Sequence, residues 1–154
     1  MVKVEIKHGS QEELLQAFSQ SVHEAWQDVS KQVEAQFRKC LEQVLLPRVE
    51  AWDVSEEVVK KYPFLKEKRR FVESYINCFS VDVSEMSVSF FLDEGKVARN
   101  SFPKEIGELL EFGSLDFPSL PHFRNVVDSW RTLCETQFLQ DLIGESTDRY
   151  GDRI

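Results

Sequence analysis

The chain has 154 residues, of which 42% are hydrophobic, 30% charged and 12% aromatic, with twelve Phe, so it is no disordered polymer and is long enough to bury a core. Its formal net charge of -8 argues against a dedicated nucleic-acid binder, because phosphate affinity comes from Lys and Arg displacing condensed counterions. Three widely spaced cysteines, Cys40, Cys78 and Cys134, fit neither a disulfide framework nor a zinc knuckle and read as buried free thiols, which suits a reducing cytosol as the place of synthesis.

Met1 to Lys7 alternates apolar and charged residues, the period of a short strand and not of a signal-peptide core. No stretch approaches the roughly 18 apolar residues in a row that a membrane span needs. After a turn at His8-Gly9, Ser10 with Glu13 makes a capping box that opens a helix. From Leu15 through Phe18, Val22, Ala25, Trp26, Val29, Val33, Phe37, Cys40 and Leu41 to Val44, apolar residues recur at spacings of three and four. Such a helix from Ser10 to Leu46 is roughly 55 Å long at about 1.5 Å per residue. Two readings stand level: the helix lies across its own sheet, or its own domain covers the stripe only in part and the rest, with Val29 and Phe37 on it, meets another helix or a neighbouring subunit.

Pro47 should end that helix, and Ser55-Glu56-Glu57 starts a short second one that stops before Pro63. Lys60, Lys61, Lys66, Lys68, Arg69 and Arg70 form a basic cluster, whereas the chain after Arg70 holds fifteen acidic residues against seven basic ones. A solvated face or an acidic protein partner accounts for the cluster better than phosphate does. Phe71 to Val83 reads as a strand and Met86 to Leu92 as a second, joined at Ser84-Glu85 as a hairpin. Asp93-Glu94-Gly95-Lys96 reads as a turn. Pro103 suits the first position of a short helix through Leu110, closed at Gly113. Gly113 to Pro121 is then a proline-stiffened loop with Leu115, Phe117 and Leu120 as apolar anchors for docking. A last helix from about His122 to Ile143 carries a stripe from Phe123 to Leu142, followed by a polar tail, 144–154, expected to be mobile.

No set of nucleophile, base and orienting group emerges. His122 and Cys134 are three helical turns apart and each His reads as structural; Glu108 and Glu111 share a helix face without a His at ligand spacing. There is no GxGxxG, phosphate-loop lysine, HExxH or GxSxG pattern. The expectation is a protein without catalysis, cofactor or metal.

Glu111-Phe112-Gly113-Ser114, followed by Pro118-Ser119-Leu120-Pro121-His122-Phe123-Arg124, resembles the tailed-phage head-to-tail joining proteins, also called neck or tail-completion proteins. In that family an acidic-aromatic-Gly-Thr/Ser turn precedes a Pro-x-x-Pro-aromatic-x-Arg run that opens the final helix. The order of elements is similar over most of the chain. The residues also make physical sense alone: Gly113 permits a positive φ, Pro118 and Pro121 pre-order the loop, and Arg124 in a first helical turn calls for a carboxylate, in the same chain or in a neighbour.

Together these give an α+β fold in which a long N-terminal amphipathic helix and a C-terminal helix pack on a small antiparallel sheet, as one domain over 1–143. The resemblance implies a virion subunit at the head-tail interface that closes as a ring of copies, six-fold favoured and twelve-fold possible. Its neighbours would be head-connector or adaptor proteins on one side and tail terminator or tail tube proteins on the other. DNA would pass through the lumen without specific binding, since six copies carry about -48 formal charges. Candidate interaction residues are Phe112, Gly113, Phe117, Pro118, Pro121, Phe123 and Arg124 in the loop region and Val29 and Phe37 on the long helix. The alternative from another class is a cellular helical adaptor or oligomerisation module without catalytic activity.

Overall fold

A computed structural model describes residues 11–84 and 87–154. The expected strand at Met1 to Lys7, the turn at His8-Gly9 and the capping residue Ser10 lie outside the described residues, as does Glu85 of the hairpin connection. The fold is α+β: among the described residues, a long N-terminal helical rod, a C-terminal helix and one two-stranded antiparallel sheet.

The rod consists of α1 (Gln11–Val29) and α2 (Val33–Leu45), joined by a tighter 3-10 turn at Ser30–Gln32. Val29 and Val33 keep helical backbone angles, so the chain continues in one direction through the join. Pro47 has no N–H to donate, and the rod ends there in a 3-10 turn, Leu46–Arg48. Helix α3 (Glu56–Lys61) starts on Ser55, whose hydroxyl accepts from the Val58 N–H at 3.3 Å. Its acidic first turn and basic last turn both suit the helix dipole.

The strand expected from Phe71 is instead helix α4 (Lys68–Ile76). Phe71, Val72, Tyr75 and Ile76 are all buried, a helical spacing; strand alternation would have turned Glu73 inward with Phe71 and Tyr75, and Glu73 is exposed. The hairpin is real but shorter. Strand β1 (Phe79–Ser84) pairs antiparallel with β2 (Ser87–Leu92), Phe79 opposite Leu92 and Ser84 opposite Ser87. Trp26 of α1 donates its indole N–H to the Ser84 carbonyl at 2.8 Å and pins the hairpin tip to the rod.

Asp93 does not lead a turn. Its carboxylate accepts from the N–H groups of Gly95 and Lys96 and caps α5 (Glu94–Arg99). Helix α6 (Ile106–Phe112) begins three residues beyond Pro103, whose carbonyl accepts from Ile106 N–H, and stops at Gly113 as expected.

The C-terminal helix also differs from expectation. Helix α7 (Phe123–Trp130) runs through a π turn at Arg131–Glu135 into α8 (Thr136–Arg153), so the residues expected as a mobile tail are helical. They hold a place against α1: Tyr150 meets Phe18 edge-on at 5.5 Å, Arg149 pairs with Asp28, and Arg153 donates to Ser21 Oγ at 2.8 Å and to Glu24. The π turn sets this register. Trp130 and Phe138 are eight residues apart, about 80° out of line on a regular α-helix; a π turn absorbs about one residue and returns both to one face. Both then reach the same apolar cluster, Trp130 from its edge and Phe138 against Trp26 at 5.7 Å.

The larger cluster gathers Leu41, Leu45, Trp52, Phe71, Tyr75, Phe79, Ile106 and Leu110 between α2, α4, β1 and α6; the smaller one joins Trp26, Val29, Val33 and Phe138 between α1 and α8. The stripe of the rod is thus covered from Ala25 onward by the chain itself. Only Leu15 and Phe18, at 60% and 50% exposure, remain open. Among the described residues no helix is long and apolar enough to cross a membrane.

Candidate functional site

The loop from Gly113 to Pro121 is held at both ends by main-chain chemistry. Gly113 adopts φ +72, and a Cβ there would come within 3.0 Å of the Phe117 carbonyl oxygen and 3.1 Å of Ser119 Cβ. Ser114 N–H donates to the Phe117 carbonyl at 3.0 Å, and Leu120 N–H to the Leu110 carbonyl at 2.6 Å. Glu111, at the end of α6, reaches across the loop: one carboxylate oxygen accepts from the N–H groups of His122 and Phe123, at 2.7 and 3.1 Å. It caps α7 from another helix, because His122 offers no side-chain cap of its own.

Beneath the loop lies a buried polar chain. The His122 ring receives or gives one hydrogen bond to the Tyr75 hydroxyl at 2.7 Å and another, through Nδ1, to the Leu120 carbonyl at 2.9 Å. With Nδ1 donating to that carbonyl, Nε2 accepts from Tyr75. Burial drives the His122 pKa below its ordinary value, only partly opposed by the Leu120 carbonyl and the Glu111 carboxylate. Burial, and then the Glu111 charge, raises that of Tyr75. The pair is neutral at pH 7 and works as a strut.

The anchors expected to dock elsewhere divide into two groups. Phe117 and Leu120 point into this chain's own core, Phe117 against Tyr62 at 5.1 Å and Trp52 at 6.1 Å. Pro118 and Pro121 lend their carbonyls to Trp52 and Arg48. All four fix the loop; Phe117 and Leu120 are buried, Pro118 is half-buried and the Pro121 ring stays exposed. Phe112, 81% exposed, and Leu115, fully exposed, face outward and are the two most exposed large apolar side chains described.

Phe123 is partly exposed beside His122, and Arg124 is exposed with only a loose ion pair to Asp128, 3.9 Å away on the next helical turn. Val29 is buried in the smaller cluster. Phe37 is stacked between Phe90 at 4.8 Å and Trp130 at 5.2 Å. Both were expected at a subunit seam, and both lie inside the chain, Val29 in the cluster that holds Phe138 of α8 and Phe37 between β2 and the end of α7.

Sequence reasoning missed Tyr75, the double cap by Glu111, and an aromatic pocket beside the basic cluster, where Phe64, Phe71 and Phe102 meet below Lys66 and Arg70. The spacing of Phe71 and Tyr75 carried a usable signal for the first. Nothing local to Glu111 marks it as a cap for residues eleven and twelve positions on. All three cysteines are free thiols, Cys40 and Cys78 buried and Cys134, against expectation, only half-buried; burial raises the pKa of Cys78, and burial together with the adjacent Cys40 raises that of Cys134, so these two have little thiolate character. Glu111, weighed as a metal ligand, is occupied by backbone donors, and among the described residues no three acidic, His or Cys side chains gather to hold a metal.

No protein-family model matches the chain, and no curated protein and no solved structure matches it either.

Proposed function

We propose that the chain is a structural, non-catalytic subunit of a tailed-phage virion, a neck or tail-completion protein that closes as a ring between the head connector and the tail and lets DNA pass. The observation that carries the reading is the coincidence of the resemblance with the built loop. Glu111, Gly113, Pro118 and Pro121, which resemble the family's turn, are the residues that lock the loop and hold Phe112 and Leu115 outward. A rigid projection with apolar tips suits permanent assembly, because little entropy is lost when it docks. The net charge of -8 per copy agrees with a lumen that duplex DNA slides through.

The test is the mass and shape of the full chain in solution. Native mass spectrometry and negative-stain microscopy should find closed rings, six-fold first and twelve-fold as the other closure. A chain that remains monomeric at assembly concentrations overturns the proposal. The helical-adaptor reading is favoured by Leu15 and Phe18 on α1 with Leu139 and Ile143 on α8, which leave apolar surface on the helical arm. It requires a stable monomer.

A further inference from the structure

We propose that copies of this chain meet head to tail, with Phe112 and Leu115 of one copy seated in the aromatic pocket of Phe64, Phe71 and Phe102 on the next. The inference rests on the ring reading above and names the two faces it would use.

The pocket is a cavity of about 410 Å³ whose floor is three rings in mutual contact, 4.8, 5.1 and 5.2 Å between centroids. Phe71 is buried, while Phe64 and Phe102 are each only half-buried and present apolar surface at the mouth. Lys66, Glu67 and Arg70 stand on the rim, Arg70 in a long exposed pair with Glu67 at 3.4 Å, so the rim is basic by one charge. A pocket of this size takes a side chain or two, and its lining suits an aromatic or aliphatic anchor flanked by carboxylates.

That description fits the projection on the same chain. Residues 105–116 hold Glu105, Glu108, Glu111 and Asp116 and no Lys or Arg, whereas residues 60–70 hold six basic residues against Glu67 alone. The two stretches already attract each other inside one chain, where Lys61 pairs with Asp116. Phe112 makes no ring contact with Phe64, Phe71 or Phe102 of its own chain; the Gly113 turn holds it out in solvent. Each copy therefore carries an unfilled pocket and an uncovered anchor of opposite charge. A contact in which one copy gives the anchor and the next gives the pocket leaves one of each free at the ends, and such a chain grows until it closes.

Two variants of the full-length chain separate the halves of the contact: Phe112→Glu with Leu115→Glu removes the anchor, and Lys66→Glu with Arg70→Glu reverses the rim. All four side chains are exposed, so circular dichroism should match the wild type. Light scattering over a concentration series should find each variant alone weakened in assembly by about tenfold or more. Mixed in equal amounts, they should give a capped dimer and nothing larger, since the anchor variant keeps its pocket and the rim variant keeps its anchor. Wild-type rings that both variants form equally well would overturn this contact and leave the ring standing. A mixture that stays monomeric would also overturn it. A wild type that stops at a dimer sensitive to both variants would keep the contact and overturn the ring.

Discussion

Gly113 carries the sharpest requirement of any single position, since its φ of +72 and the nearby Phe117 carbonyl both exclude a side chain. Gly113→Val should cost about 2–3 kcal/mol of stability, read as a lowered melting temperature. Phe112→Ala, one residue earlier, should leave melting unchanged within about 0.5 kcal/mol because the ring is in solvent. Equal effects of the two would remove the distinction between loop lock and exposed tip. His122 makes a second prediction through its lowered pKa. The unfolded chain takes up the proton near pH 6.5 while the folded chain resists it, so the strut's contribution is complete above about pH 6.5 and is lost as pH falls below that toward the folded value. The groups facing the ring are the Tyr75 hydroxyl, the Glu111 carboxylate and the Arg48 guanidinium. Chemical denaturation between pH 7.5 and 5 should show this slope in the wild type and a flatter one in His122→Gln. Glu24, Asp28 and Asp93, whose carboxyls lie below their usual range through hydrogen bonds to Arg153, Arg149 and the Lys96 N–H, lose their partners' support only at lower pH, so the two windows separate.

At the scale of elements, α8 decides what the long rod can do. Its last three turns occupy the face of α1 on which a neighbour was expected, and Val29 is sealed between Trp26, Val33 and Phe138. Val29→Glu should bury an unpaired carboxylate at about 4 kcal/mol, a large share of a small protein's stability, and circular dichroism should show an unfolded or barely folded chain. A well-folded monomer from this variant would mean that Val29 faces a neighbour after all. The rod itself, its end at Pro47, the Ser55 cap and the Gly113 stop were legible in the sequence because each depends on residues adjacent in the chain. The π turn was not. Its consequence, the alignment of Trp130 with Phe138, is a matter of packing across helices, and the polar composition of 144–154 hid Tyr150, Arg149 and Arg153, whose partners lie more than a hundred residues away on α1. Helix α4 differs from the expected strand for a related reason: Phe71, Tyr75 and Phe79, at spacing four, share a face whether the chain coils or extends, and Glu73 is the residue that discriminates.

On the scale of the whole molecule, the fold class was legible and the division of labour within the loop was not. Of the expected interaction residues, Val29, Phe37 and Phe117 pack into the chain's own interior, half-buried Pro118 and exposed Pro121 give their carbonyls to Trp52 and Arg48, and the most exposed apolar tips are Phe112 and Leu115. Apolar character alone gave no way to tell a residue that closes its own core from one that awaits another. The double cap by Glu111 has an implication of a different kind. Because the two ends of the loop are fastened to each other at Glu111 and at Leu110, and Ser114 and Asp116 are tied to Phe117 and Lys61, the fully exposed Leu115 side chain sits outside the circuit of contacts that keeps the chain folded. Mutation can rewrite that side chain, and with it the choice of neighbour, while the loop's base stays clamped. Partner recognition and foldedness can therefore drift independently in descendants of this chain.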